Sequence, residues 1–442
     1  MDDLNDIRQG NVDYLKAHPG SVSSVGLWGH NGQGNLGNEE TLSAAIHNLR
    51  RFEPDITLYG FSLNPEDTLE RHGIPSFPIK RRGVVFSSST HSSTTPMMIS
   101  SLGWKARLKR YPVFYRVFRK IISPLLEIHF FVQAHRSLKG IDLMLVTGTG
   151  QVADSWGGVA GFPYSLFKWS LLCRIKGVKW AVVSAGVGPI NSFLSRKFIK
   201  NSLSNAIYRS FRDDYSKRLI ENLGVKGNIR VYPDLVFSLD LSKCGVTLQQ
   251  ERPKTVALNA LPYREPGAWE NPSSSFYQRY RDVLVRFASW LVEEGYDVHL
   301  IPTHVTMDSE FLKGFKSKIN TNFPDRLRLR SFVSTNGTIG EVISWFSEVG
   351  IVVTTRFHGL IFSSLLGKPV LAVSYHPKIS ELMKDFGQER FCIDIEDLDF
   401  DLLVNKFKEL ESEKDDVSKR VLEKVELNKR LLEKQYLELL KL

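Results

Sequence analysis

The sequence predicts an α/β protein of two doubly wound, Rossmann-like domains facing each other across a cleft, with a long C-terminal helix. Three observations carry this. Aliphatic and β-branched runs recur along the chain, and several close on glycine or a charged residue, as parallel strands do when their carboxyl ends hold a site. The length, 442 residues, suits two domains, read here as 1–245 and 246–442. The last stretch, Leu398–Leu442, is highly charged and reads as a helical tail.

Taken in order, Ser21–Trp28 is the first strand, followed by the glycine-rich loop Gly29–Gly37 and a helix capped by Asn38. Gly32–Gly37 matches G-x-G-x-x-G, but the second strand, Ile56–Phe61, ends without the acid that a dinucleotide's ribose needs. The loop is therefore expected to line a pocket with backbone amides, Asn35 among its residues. Gly83–Gly103 is a Ser/Thr-rich loop. Trp104–Leu138 reads as a basic, aromatic helical region broken by Pro112 and Pro124. Ile141–Thr147 is a strand leading to Gly148, Gln151 and Asp154; Leu166–Lys176 is a helix, and Val178–Ser184 a strand ending in the Gly186–Gly188 turn. Ile207–Phe211 ends in Arg212 and Asp213, and Ile229–Tyr232 runs into Pro233 and Asp234.

In the second domain, Lys254–Asn259 is followed by Tyr263 and Arg264, Phe276–Glu294 is a helix, and Asp297–Pro302 ends in Thr303 and His304. Asp308 stands at the next helix start. The most informative stretch is Val352–Lys378. After the strand Ile351–Thr355, an extended chain would project Arg356 and His358 from one face and send Phe357 into the core. Leu360–Leu366 reads as a helix ended by Gly367 and Pro369, and the strand Val370–Ser374 leads to Tyr375, His376 and Lys378. Arg212 from one domain, with Arg264, His304, Arg356 and His358 from the other, outline a site for a small, multiply charged anion, since guanidinium forks match phosphate and carboxylate.

Composition bounds the rest. Hydrophobic residues make up 42% and charged residues 24%, so the chain is no disordered polymer, and no apolar run reaches the roughly 18 residues of a spanning helix. The N-terminus lacks a secretory pattern, and three scattered cysteines offer no disulfide framework, which fits a reducing cytoplasm. No metal spacing, Walker lysine motif or nucleophile elbow is present, so neither a metal nor a cofactor is expected. The net charge of +10 gathers partly in Trp104–Lys139. Two readings of that region stand: contact with an anionic membrane, and a domain helix with a solvated basic face. No nucleic-acid-binding module is visible.

GNLGNEETL, LVTGTGQVAD, VSAGVGPI, SFRDDYS, YPDLVFSL and VVTTRFHGLIFSSLLGKPVLAVSYHPK together resemble the polysaccharide pyruvyl transferase family, across most of both domains. Arg-Phe-His-Gly with its helix and strand is the most specific part. Asn38 stands where family members commonly carry Asp. The resemblance implies a fold like that of B-type glycosyltransferases and transfer of pyruvate from phosphoenolpyruvate to a polysaccharide sugar or its lipid-linked precursor, as a cyclic ketal. Arg212, Arg356 and His358 match positions implicated in donor binding or catalysis. On this reading His358 moves the proton, Asp154 or Asp213 activates the acceptor hydroxyl, and Gly148, Gly188, Gln151, Asn35, Arg264, His304, Tyr375 and Lys378 contact substrate. The rival is a nucleotide-sugar glycosyltransferase of the same shape, since a diphosphate would use the same cations.

Overall fold

The computed structural model describes residues 22–81, 112–155, 157–243, 248–267, 269, 272–319, 321–333 and 337–442, with the side chains of 112–123 excepted. The loop expected at Gly83–Gly103 and the start of the basic region lie outside the described residues.

The first lobe runs β1 (Ser24–Trp28), α1 (Leu36–Phe52), β2 (Thr57–Ser62), α2 (Pro65–His72), β3 (Ser76–Pro78), α3 (Pro112–Ser137) and β4 (Leu143–Thr147). It continues with α4 (Phe162–Lys176), β5 (Lys179–Ala185), α5 (Phe193–Ser204), β6 (Tyr208–Phe211), α6 (Asp214–Asn222) and β7 (Arg230–Val231). The second lobe opens with β8 (Thr255–Asn259), α7 (Ser274–Glu293), β9 (Asp297–Leu300), α8 (Met307–Lys316), β10 (Leu327–Leu329) and α9 (Ile339–Ser347). There follow β11 (Ile351–Thr354), α10 (Phe357–Leu365), β12 (Val370–Ser374), α11 (Pro377–Asp385), β13 (Cys392–Asp394), α12 (Phe400–Ser412) and α13 (Lys414–Leu440).

Both sheets are parallel and share one topology, β3-β2-β1-β4-β5-β6-β7 and β10-β9-β8-β11-β12-β13. In each, the first strand sits where the order reverses: Leu27 pairs with Gly60 on one side and Leu145 on the other, and Leu258 with Leu300 and Val353. Ligands bind beyond the carboxyl ends of strands at such switch points. Alternation along β1 divides its side chains between two cores. Val25 and Leu27 join a cluster that runs through the second lobe and the tail, while Trp28 packs with Phe61, Trp169 and Trp180 behind the first sheet.

The tail carries the expected long C-terminal helix, α13, preceded by α12 and a break at Glu413. Its second helix, α13, reaches back to the first lobe: Gln435 accepts from Ser184 (3.0 Å) and donates to Ser210 (2.6 Å), and Glu438 takes the Tyr208 and Tyr232 hydroxyls. Pro124, read as a breaker, lies within α3, where its missing N–H forfeits one helical bond without ending the helix.

Candidate active site

The second lobe supplies a helix start with little freedom. Thr354 Oγ1 accepts from the Arg356 amide (2.9 Å) and donates to Asn259 (2.8 Å), whose own amide donates to the Ile301 carbonyl (2.6 Å). A Cβ at Gly359 would come within 2.0 Å of Asn259 Oδ1, so glycine is what lets α10 begin so close to β8. The chain is already helical from Phe357, earlier than the sequence suggests, because Arg356 is the N-cap residue. Arg356 and His358 therefore leave from a helix N-terminus rather than one face of a strand. Among the described residues no side chain caps α10, so its first N–H groups and the positive end of its dipole are of the kind that hold an anion. Arg356 is held by buried Asp308, whose other oxygen takes the amides of Thr303 (3.0 Å) and His304 (2.9 Å).

His358 lies against the other lobe. A Cβ on Gly37, in the first turn of α1, would stand 2.0 Å from its Cγ and Nδ1. Arg212, at the end of β6, places its guanidinium 4.1 Å over the Phe357 ring and ion-pairs with Asp234 (3.2 Å) and Asp213 (3.5 Å). Lys378, in the first turn of α11, lies 5.1 Å from the Tyr375 ring centre and has no carboxylate within ion-pair distance among the described residues.

The electrostatic outcome is a pocket that disfavours positive charge. Burial holds His358 well below the usual imidazole range, and Arg212, Lys378 and Arg356 push it the same way. Its Nε2 is buried and has no hydrogen-bond partner among the described residues. Burial alone would raise the Tyr375 phenol, but Lys378, Arg356 and Arg212 together bring it below its ordinary value. His376 accepts the Lys378 amide on Nδ1 (3.1 Å) and is lowered to about 4 by burial, Lys378 and Arg212. A cavity of about 140 Å³ opens beside Arg212, Phe357 and Lys378, and Asp234, Tyr232 and Asn428 help wall it; Arg356 and His358 do not line it.

Other expected site residues serve the scaffold. Asn35, not Asn38, caps α1, accepting from the Gly37 amide (3.2 Å); its backbone bridges to His304 across the lobes. Asn38 is buried inside the helix and donates to the His30 carbonyl (3.2 Å), a bond an ionised Asp could not make. The glycine-rich loop does not offer all its amides to a ligand, because Gly32 N donates to the buried carboxylate of Glu39 (2.8 Å). Gln151 is buried too, joining Thr147 O (2.8 Å) to the His30 amide (3.2 Å). Gly148 makes room for the Ser184 carbonyl and Gly188 for Ala153, so those loops pack on neighbours.

Asp154 accepts the Asn191 (2.9 Å) and Ser192 (2.8 Å) amides. Asp213 caps α6 through Ser216 N (2.6 Å) besides pairing with Arg212. Both carboxylates are thus engaged in fixing loops. Arg264, left-handed at φ 56°, pairs with Glu396 (3.2 Å) and stacks on Phe276. His304 does stand at the cleft, where burial lowers it to about 4, opposed by Asp308 and aided by Arg356; its Nδ1 accepts the Met307 amide (3.3 Å). The sequence reading missed His30, also near 4 through burial, Lys80 and His304, and it missed Gly37 as the seat of the imidazole.

The model of one family, polysaccharide pyruvyl transferase, matches residues 35–377. No curated protein matches the chain. Among solved structures, UDP-GlcNAc 2-epimerase from Methanocaldococcus jannaschii is similar over 87% of this chain and 92% of its own, at 10% identity and TM-score 0.53. The UDP-GlcNAc 2-epimerase from Neisseria meningitidis bound to UDP-GlcNAc covers 93% and 99% at 12% identity and TM-score 0.52. A glycosyltransferase from Rickettsia africae covers 95% and 98%, also at 12% and 0.52. At such identities the structures establish a shared fold, that of B-type glycosyltransferases. With the family model reaching from α1 through the Arg-Phe-His-Gly turn to the start of α11, the chain belongs to the polysaccharide pyruvyl transferase family.

Proposed function

We propose that the protein transfers pyruvate from phosphoenolpyruvate to a sugar, forming a cyclic ketal and releasing phosphate. The observation that carries this is the convergence of both lobes on the first turn of α10: Arg212 from the first lobe lies 4.1 Å and Lys378 from the second 5.8 Å from the ring centre of Phe357, whose chain neighbours are Arg356 and His358. Phosphoenolpyruvate carries its phosphate and carboxylate on one carbon. Two forks, a point charge and an uncapped helix start suit that pair of anions.

The atoms balance without a cofactor. The donor's methylene carbon gains a proton, one sugar hydroxyl adds to the neighbouring carbon, phosphate leaves, and the second hydroxyl closes the ring. Of the two hydroxyl protons, one ends on the new methyl group and one on phosphate. His358 is the proton carrier, since its free Nε2 can accept from a hydroxyl once a donor is bound. Asp213, with one oxygen on Ser216 N and the other toward Arg212, and Asp154, with one oxygen on two loop amides, are weaker candidates for that step. The acceptor is a sugar of a polysaccharide or of its lipid-linked precursor, met at the cytoplasmic face of the membrane.

A titration follows from the charges. In the free protein, burial and three cations favour neutral His358; a bound trianion offsets those cations and favours the protonated ring. The His358 pKa is therefore expected to rise on phosphoenolpyruvate binding, read by NMR of the imidazole with and without donor. An unchanged or lower value would separate His358 from the donor. The reaction itself is tested by incubating protein, phosphoenolpyruvate and a glycan acceptor. Phosphate release with one ketal-linked pyruvyl group gained, by mass spectrometry, is the expected result. Turnover of a nucleotide sugar with release of nucleoside diphosphate instead would favour the rival transferase.

A further inference from the structure

We infer that one face of α3 docks on the surface of an anionic phospholipid bilayer. Phe130, Ala134 and Leu138 are buried on the side that packs into the first lobe. Leu125, Ile128 and Val132, spaced by three and four residues, lie on roughly the opposite side of the helix and are 61%, 62% and 44% exposed, with Leu126 beside them at 45%. Four aliphatic side chains in two turns of a surface helix form an apolar strip that no described residue covers.

Its position and charge point to a bilayer. Glu127 takes the Tyr164 hydroxyl (3.2 Å) and Lys168 (3.0 Å), and Lys168 sits 4.3 Å from the Phe130 ring centre, so this level of α3 lies beside the first turns of α4. The helix backbone from Pro112 to Ser123 consequently continues by about 16 Å past the start of α4, on the side where the strands' carboxyl ends lie. Between Pro112 and Lys139 the sequence holds Arg116, Arg119, Lys120, Arg136 and Lys139 against one acid, Glu127, which Lys168 already neutralises. Exposed aliphatics on a segment rich in cations are what an interfacial helix offers to anionic lipid. No helix among the described residues is long and apolar enough to cross a membrane, so the strip lies on the surface rather than spanning it. The docking stands on this face alone and holds or fails independently of the transfer reading.

The test is sedimentation of the full chain with vesicles of phosphatidylcholine alone or with phosphatidylglycerol, for wild type and L125E/I128E/V132E. Thermal melting of the variant confirms that these exposed changes leave it folded. Wild type is expected to bind the anionic vesicles, weaken with salt, and lose roughly tenfold or more in partitioning on substitution. Equal binding by both proteins, or none by either, overturns the proposal. A wild-type dimer that the variant dissolves, without vesicle binding, would assign the strip to a second copy instead.

Discussion

Replacing His358 with alanine is expected to cut turnover by about 10²–10⁴-fold, the range for losing a positioned proton-transfer group, while phosphoenolpyruvate affinity changes little. The two effects separate because the imidazole is neutral in the free protein and the cations around it, Arg212, Lys378 and Arg356, remain. Steady-state kinetics with phosphoenolpyruvate varied, alongside direct binding, reads both quantities. A variant with full turnover would move the proton to another group, such as His304, whose backbone bridges to Asn35 across the lobes.

Gly37→Ala is expected to act through the same ring. A glycine-to-alanine change within a helix ordinarily stabilises it by roughly 0.5–1 kcal/mol. Here the added methyl would stand 2.0 Å from His358 Cγ and Nδ1, so the imidazole must turn away or the lobes must part. Misplacing a reacting group by about 1 Å costs around 10²-fold, and that is the loss expected in turnover. A double-mutant cycle gives the sharper outcome. On a His358→Ala background the Gly37→Ala change should cost little further, because the atoms it collides with are gone. Additive losses would mean that Gly37 serves the loop rather than the ring.

Much of the fold was readable because its strands are buried on both faces and their carboxyl ends are marked. β12 was read residue for residue, and β11 to within one. Strands β3, β10 and β13 span three residues each, too short for any periodicity to register. The sequence places a turn, extended at most, between the strand ending at Thr355 and a helix from Leu360; the bonds of Thr354 to Asn259 and to the Arg356 amide mark where the chain has already become helical. Arg212, Arg356, His358 and Lys378, which make up the proposed site, stand out in the sequence by their places after strands. The carboxylates that hold the arginines, Asp234 and Asp308, were visible as residues but not as partners. Gly37 looked like one of several turn glycines; its reason is an imidazole 321 residues later in the chain (358 − 37), which no local pattern reports.

The charges also qualify how the anion is held. Arg212 and Arg356 each have a buried carboxylate partner, so their forks are oriented before any ligand arrives, and part of their charge is already answered. Lys378 and the open start of α10 carry the surplus. Removing an arginine outright would strand Asp234 or Asp308, so lysine is the informative replacement: it keeps a charge for the carboxylate and loses the fork.

Calorimetric titration of phosphoenolpyruvate into wild type, Arg212→Lys and Arg356→Lys therefore tests most directly whether the two lobes share one donor. Each variant is expected to bind about tenfold more weakly or worse, the scale of one charge-assisted bond, although the two arginines come from different sheets. Wild-type affinity in Arg212→Lys, with loss confined to Arg356→Lys, would contradict a site built from both lobes.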